Sequence, residues 1–141
     1  MPRKTIYLSD EIMPVIGCDE PGAFSRRLTG IIQDWQAVIA DAMPELKEAE
    51  WLYLMDMLNG VVLEGRQALF LGSDVIEAGE NDGLGSKWGI DPRAFGMRID
   101  ALPLAGKVAI HDVAYRFWQR HGIVDSHREV LEKCGAKIQG A

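Results

Sequence analysis

Between residues 23 and 42 the apolar side chains Phe24, Leu28, Ile31, Ile32, Trp35, Val38 and Ile39 recur at the i, i+3, i+4, i+7 spacing of one helical stripe. The spacing predicts an amphipathic helix over about 23–42, broken at Pro44. A shorter pattern precedes it. Arg3-Lys4-Thr5-Ile6-Tyr7-Leu8 alternates, with Arg3, Thr5 and Tyr7 on one face and Lys4, Ile6 and Leu8 on the other, and Ser9-Asp10-Glu11 follows as a helix start. This reads as one strand and a brief helix interrupted by Pro14 and Gly17. Nothing downstream reads as a convincing second strand, so a lone strand would pair with another copy of the chain.

Beyond Pro44 the pattern stays helical. Trp51, Leu54, Met55, Leu58 and Val62 continue a stripe that Asn59-Gly60 should stop. Leu69, Phe70, Leu71, Val75 and Ile76 supply further core in a less regular segment. Four glycines between Gly79 and Ile90 mark a loop. Asp91-Pro92 gives an N-cap and first-turn proline to a helix carrying Phe95, Ile99 and Leu102, which Pro103 ends. A longer helix over about 105–121 presents Ile110, Val113, Ala114 and Phe117 and stops at Gly122. Ser126-His127-Arg128-Glu129 has capping-box spacing for a last helix through Cys134.

Charge alters this picture in one respect. The net charge is −6, which disfavours indiscriminate binding to nucleic acid or anionic lipid, but it is unevenly spread: −1 over residues 1–35, −8 over 36–84 and +3 over 85–141. The acidity belongs to the middle of the chain, and contact with DNA at either end remains open. No apolar run approaches the ~18 residues of a membrane span, and the start lacks a signal-peptide core, so a cytoplasmic protein without membrane contact is expected. Cys18 and Cys134 have no C-x-x-C spacing and read as ordinary thiols.

Candidate chemistry is sparse. Gly83-Leu84-Gly85-Ser86-Lys87 has the wrong order for a phosphate loop, and Trp88 occupies the third glycine position of a dinucleotide loop. His111, Asp112, His121 and His127 lack helical ligand spacing, and Glu48 and Glu50 read as a solvated face. No catalytic residue, metal site or cofactor is expected, and the chain is not read as an enzyme. Trp51 and Phe117 read as core, whereas Asp56 and Asn59, polar within an apolar helix, are candidates for capping neighbouring helices.

The first 42 residues carry a resemblance. The alternating strand, the junction Leu8-Ser9-Asp10-Glu11-Ile12 and the turn Gly22-Ala23-Phe24-Ser25-Arg26-Arg27 resemble the ribbon-helix-helix superfamily of bacterial and plasmid DNA-binding proteins, of the Arc, MetJ and CopG type. The first helix is shorter than that pattern. The resemblance implies a homodimer whose antiparallel ribbon lies in the major groove of double-stranded DNA. Arg3, Thr5 and Tyr7 would read bases, Ser25, Arg26 and Arg27 would hold phosphate, and Ile6, Leu8, Leu28, Ile31, Ile32 and Trp35 would close the dimer core.

The expected architecture is therefore mostly α. A ribbon-helix-helix module, one short strand plus two helices, spans 1–43, a small helical domain spans 44–135, and 136–141 form a tail. The helical domain resembles only an uncharacterised small bacterial domain, and would serve oligomerisation above the dimer or a protein partner. A transcriptional repressor or a plasmid or mobile-element accessory factor fits. The alternative is a helical protein-protein interaction or oligomerisation protein that does not touch DNA.

Overall fold

The computed structural model describes Gly17 and residues 23–63, 70–120 and 126–140, with side chains omitted over 60–63. The predicted strand, with Arg3, Thr5, Tyr7, Ile6 and Leu8, and the short helix after it lie outside the described residues, as do Cys18, Leu69, His121 and Gly122. The described chain is mostly helical: α1 Ala23–Ala42, β1 Glu45–Leu46, α2 Glu48–Leu63, α3 Gly72–Asn81, α4 Leu84–Trp88, α5 Pro92–Asp100, α6 Leu104–Trp118, α7 His127–Lys133 and β2 Lys137–Ile138. The chain divides into two compact units, residues 1–38 and 39–141. The division falls inside α1, and Ile39 and Met43 are buried in the core of the second unit.

That core is built around α2. Glu50 to Met55 are buried without interruption, so the helix is covered on all sides rather than along one stripe. Trp51, Tyr53, Leu54, Met55 and Leu58 pack with Val75, Phe95, Ile99, Ile110, Val113 and Leu131 from the surrounding helices. Tyr53 meets the Phe95 ring edge-on at 5.2 Å, and its hydroxyl donates to the Val75 carbonyl. Burial raises the Tyr53 pKa, with Glu80 adding to the effect.

Helix ends follow local chemistry where the sequence signals it. The Asp91 carboxylate accepts from Arg93 N–H at 3.1 Å ahead of Pro92, and Ser126 Oγ accepts from Glu129 N–H at 3.3 Å. Elsewhere tertiary packing overrides the signal. α2 runs through Asn59-Gly60 to Leu63 instead of stopping. α6 begins at Leu104 and ends at Trp118, with Gln119 as its C-cap. Phe117 is only half-buried, and Leu71, expected in the core, is exposed.

The glycine-rich stretch is not a plain loop. α3 extends to Asn81 and α4 forms between Gly83 and Gly89, whose φ values of 76° and 67° let the chain turn in and out of a single helical turn. The expected tail also has structure. Lys137–Ile138 pairs in parallel with Glu45–Leu46, in register Glu45 with Lys137 and Leu46 with Ile138, and Gln139 N–H donates to Leu46 O at 2.8 Å. The Trp51 indole holds this strand by donating to Lys137 O at 2.8 Å.

Glu50 corrects the expectation of a solvated acidic face. It is 4% exposed, accepts from Lys47 N–H at 2.9 Å and is ion-paired with Arg98. Glu48 and Glu50 point in different directions because residues two apart on a helix are separated by about 200°, more than half a turn. Asp56 links helices through side chains rather than by capping a neighbouring helix. Its Oδ2 accepts from Lys87 Nζ at 2.7 Å and from Trp88 Nε1 at 2.9 Å, tying α4 to α2. Asn59 Oδ1 is buried with no hydrogen-bond partner among the described residues.

Candidate nucleic-acid interface

α1 carries two opposed faces. At 100° per residue, Phe24, Leu28, Ile31, Ile32, Trp35 and Val38 gather on one side, and Ser25, Arg26, Thr29, Gly30 and Gln33 on the other. Apolar periodicity alone leads to an expectation of a buried stripe. Ile39, at its C-terminal end, is the sole α1 residue that is fully buried. Leu28 and Ile31 are half-buried, and Ile32, Trp35 and Val38 are 47%, 44% and 54% exposed. Three large apolar side chains one turn apart on a solvent-facing helix form a surface that is not covered among the described residues. The sequence placed Leu28, Ile31, Ile32 and Trp35 there, and the same spacing adds Val38.

The opposite face is polar. Ser25, Arg26 and Arg27 are all exposed within the first turn and a half, and the first turn of α1 holds no acidic residue. Leading N–H groups of a helix whose first turn holds no carboxylate favour an anion, and arginine adds charge and a planar fork of donors. Thr29 Oγ1 donates to Ser25 O at 2.7 Å, so its hydroxyl proton is held against the helix while its lone pairs face outward. Ser25, Arg26, Thr29, Gly30 and Gln33 line a shallow concavity of about 290 Å3. Its floor is Gly30, where a Cβ would meet nothing within 4 Å. Thr29 and Gln33 were not singled out from sequence, although they follow Ser25 by four and eight residues along one face.

Of the predicted phosphate-binding residues, Ser25 and Arg26 fall on the polar side of α1, whereas Arg27 falls at the edge of the apolar side that carries Leu28, Ile31, Ile32 and Trp35. Arg3, Thr5, Tyr7, Ile6 and Leu8 lie outside the described residues.

The second unit holds polar groups whose roles are internal. Lys87, in the sequence that superficially suggests a phosphate loop, is turned to Asp56 and lies over the Trp88 ring at 5.1 Å. A shallow concavity of about 430 Å3 near it is lined by Gly79, Glu80, Gly85, Ser86, Gly89, Ile90 and Pro92, with no cation among them. Asp112 pairs with Arg116 at 3.0 Å, and His111 is buried with Nε2 lacking a partner among the described residues. No cluster of three or more histidine, cysteine, aspartate or glutamate side chains suited to a metal occurs among the described residues. No helix among them is long and apolar enough to cross a membrane. Cys134 is buried, and burial raises its thiol pKa against a lowering influence of Arg120. Comparison of the chain with protein-family models, with curated proteins and with solved structures finds no match.

Proposed function

We propose that the chain is a homodimeric, sequence-specific DNA-binding protein acting as a transcriptional repressor or as an accessory factor of a plasmid or mobile element. The observation that carries the reading is the division of α1 into an uncovered apolar face and a basic, carboxylate-free N-terminal turn. Two copies meeting through Leu28, Ile31, Ile32, Trp35 and Val38 would bury the apolar side chains and leave Ser25 and Arg26 directed outward at two related positions, with Arg27 at the rim of the contact. Such contacts position a dimer on phosphate and carry no sequence information. Sequence would be read by Arg3, Thr5 and Tyr7 on an antiparallel ribbon in the major groove, as the superfamily resemblance implies.

A reading without DNA, as a helical interaction protein, draws on the acidity of residues 36–84. The salt dependence of binding separates the two. Full-length protein titrated onto the duplex upstream of its own gene should lose affinity steeply as salt rises. Arg26→Ala should weaken binding to all sequences alike and reduce the slope of log K against log salt by about one. Absence of binding at low salt would leave the interaction reading in its place, and an unchanged slope in Arg26→Ala would remove the phosphate role.

A further inference from the structure

Gly30 lies in the interior of α1, where glycine is less favourable than alanine because it loses more backbone freedom on folding. Elsewhere packing requires glycine. An added Cβ would come within 2.3 Å of a neighbouring atom at Gly72 and at Gly79, within 2.7 Å at Gly96 and within 2.8 Å at Gly85. At Gly30 it would meet nothing within 4 Å among the described residues, and the φ angle of Gly30 is not positive. Neither a described neighbour nor the backbone conformation calls for glycine at this position. What glycine supplies here is room, the condition for close approach of a ligand to the backbone.

The room has polar walls. Ser25, Arg26, Thr29 and Gln33 surround Gly30 in the concavity of about 290 Å3, and all four are exposed. No carboxylate and no large apolar side chain lines it; Asp34 lies outside the lining, towards the Arg27 edge of the helix. The Ser25 hydroxyl, the Arg26 guanidinium and the Gln33 amide can donate, whereas Thr29, whose proton is committed to Ser25 O, contributes shape. A docked protein helix would bring apolar side chains, for which this lining has no counterpart. A partner rich in acceptors and negative charge fits it. From Ser25 to Gln33 the lining runs about 12 Å along α1 at 1.5 Å per residue. That is longer than one phosphate group, so the occupant is a stretch of phosphodiester backbone rather than a single anion.

We propose that Gly30 lets one strand of the DNA backbone settle against α1, with Gln33 donating to a phosphate oxygen beyond the phosphate held by Ser25 and Arg26. The inference rests on the DNA-binding reading of α1 and adds two residues to it, Gly30 as the floor and Gln33 as a second phosphate contact. Because both act on the backbone, they contribute to all sequences alike.

Fluorescence anisotropy of the full chain at low salt, on the duplex from upstream of its gene and on a scrambled duplex of equal length, provides the test. Gly30→Ala should raise the Tm by about 2–4 °C and yet weaken binding to both duplexes by about threefold. Gly30→Leu should weaken both by at least about tenfold. A stabler protein that binds less well does not owe the loss to unfolding. Gln33→Ala should weaken both duplexes by about fivefold and leave the slope of log K against log salt unchanged, because a neutral amide releases no counterion. Unchanged affinity in Gly30→Leu and Gln33→Ala, beside a wild type that binds, would overturn the inference and leave DNA binding standing. A wild type that binds neither duplex would overturn both. A Gly30→Leu chain of altered mass in sedimentation would overturn the inference as well, because Gly30 would then face another copy of the chain.

Discussion

Replacing glycine by alanine is the same chemical change at Gly72 and at Gly30, and the two positions should respond with opposite signs. Gly30 is in the interior of α1, and an added Cβ there meets nothing within 4 Å. Alanine should gain the difference in helix propensity, about 0.5–1 kcal/mol. At Gly72 the Cβ would run into the Gly96 carbonyl oxygen and come within 2.5 Å of Asp100 Cγ and Oδ2. The carbonyl belongs to the α5 backbone and cannot swing aside. Asp100 could rotate only by releasing Gly72 N–H, but that carboxylate is 57% exposed, so water would recover part of the loss. Overpacking of about 1–3 kcal/mol therefore dominates, and after the small propensity gain about 1–2 kcal/mol of destabilisation remains. In a unit of this size that is a fall in Tm on the order of 10 °C. Urea and thermal unfolding followed by far-UV circular dichroism measure both variants. An unchanged midpoint for Gly72→Ala would refute the close crossing of α3 and α5.

Three further outcomes test the packing. Trp51→Phe removes the indole donor to Lys137 O and should cost about 1–2 kcal/mol, with faster amide exchange at Gln139; unchanged exchange would mean that β2 is held by other contacts. Glu50→Ala leaves Lys47 N–H and Arg98 without their carboxylate, and the loss should be about 2 kcal/mol because half-exposed Arg98 can turn to water, while Glu50→Gln should lose less by keeping an acceptor for Lys47; equal midpoints in urea would contradict this. In a Cys18→Ser background, native Cys134 should react with a disulfide reagent at least about 100-fold more slowly than the unfolded chain, and equal rates would contradict its burial. Its raised pKa favours the thiol in the folded state, so this contribution to stability is complete below the ordinary thiol pKa and is lost as pH climbs from there through the folded value.

Much of the fold was legible where the signal was local. Asp91-Pro92 and Ser126 announced their helices because caps act within one turn, and α1 was read to its exact bounds from its apolar period and Pro44. Gly60 failed as a stop because the helix around it is held by burial rather than propensity. The glycines of 79–90 signalled a loop, yet Gly79 and Gly85 serve close packing against Pro92 while Gly83 and Gly89 turn the chain. β2 has two residues and depends on Trp51 and β1, so nothing in its own sequence could reveal it. Of the candidate site, the face assignments on α1 came from periodicity, but periodicity cannot tell a stripe covered by its own chain from one left open.

The central claim, sequence-specific recognition by a dimer, is tested most directly by fluorescence anisotropy on two duplexes of equal length, one from upstream of the gene and one with the same bases scrambled. The wild type should prefer the natural duplex by at least about tenfold at moderate salt. The Arg3, Thr5 and Tyr7 triple alanine variant, equally helical and with the same mass in solution, should bind the two duplexes alike. Equal binding of both duplexes by the wild type, or a preference that survives in the triple variant, would contradict it.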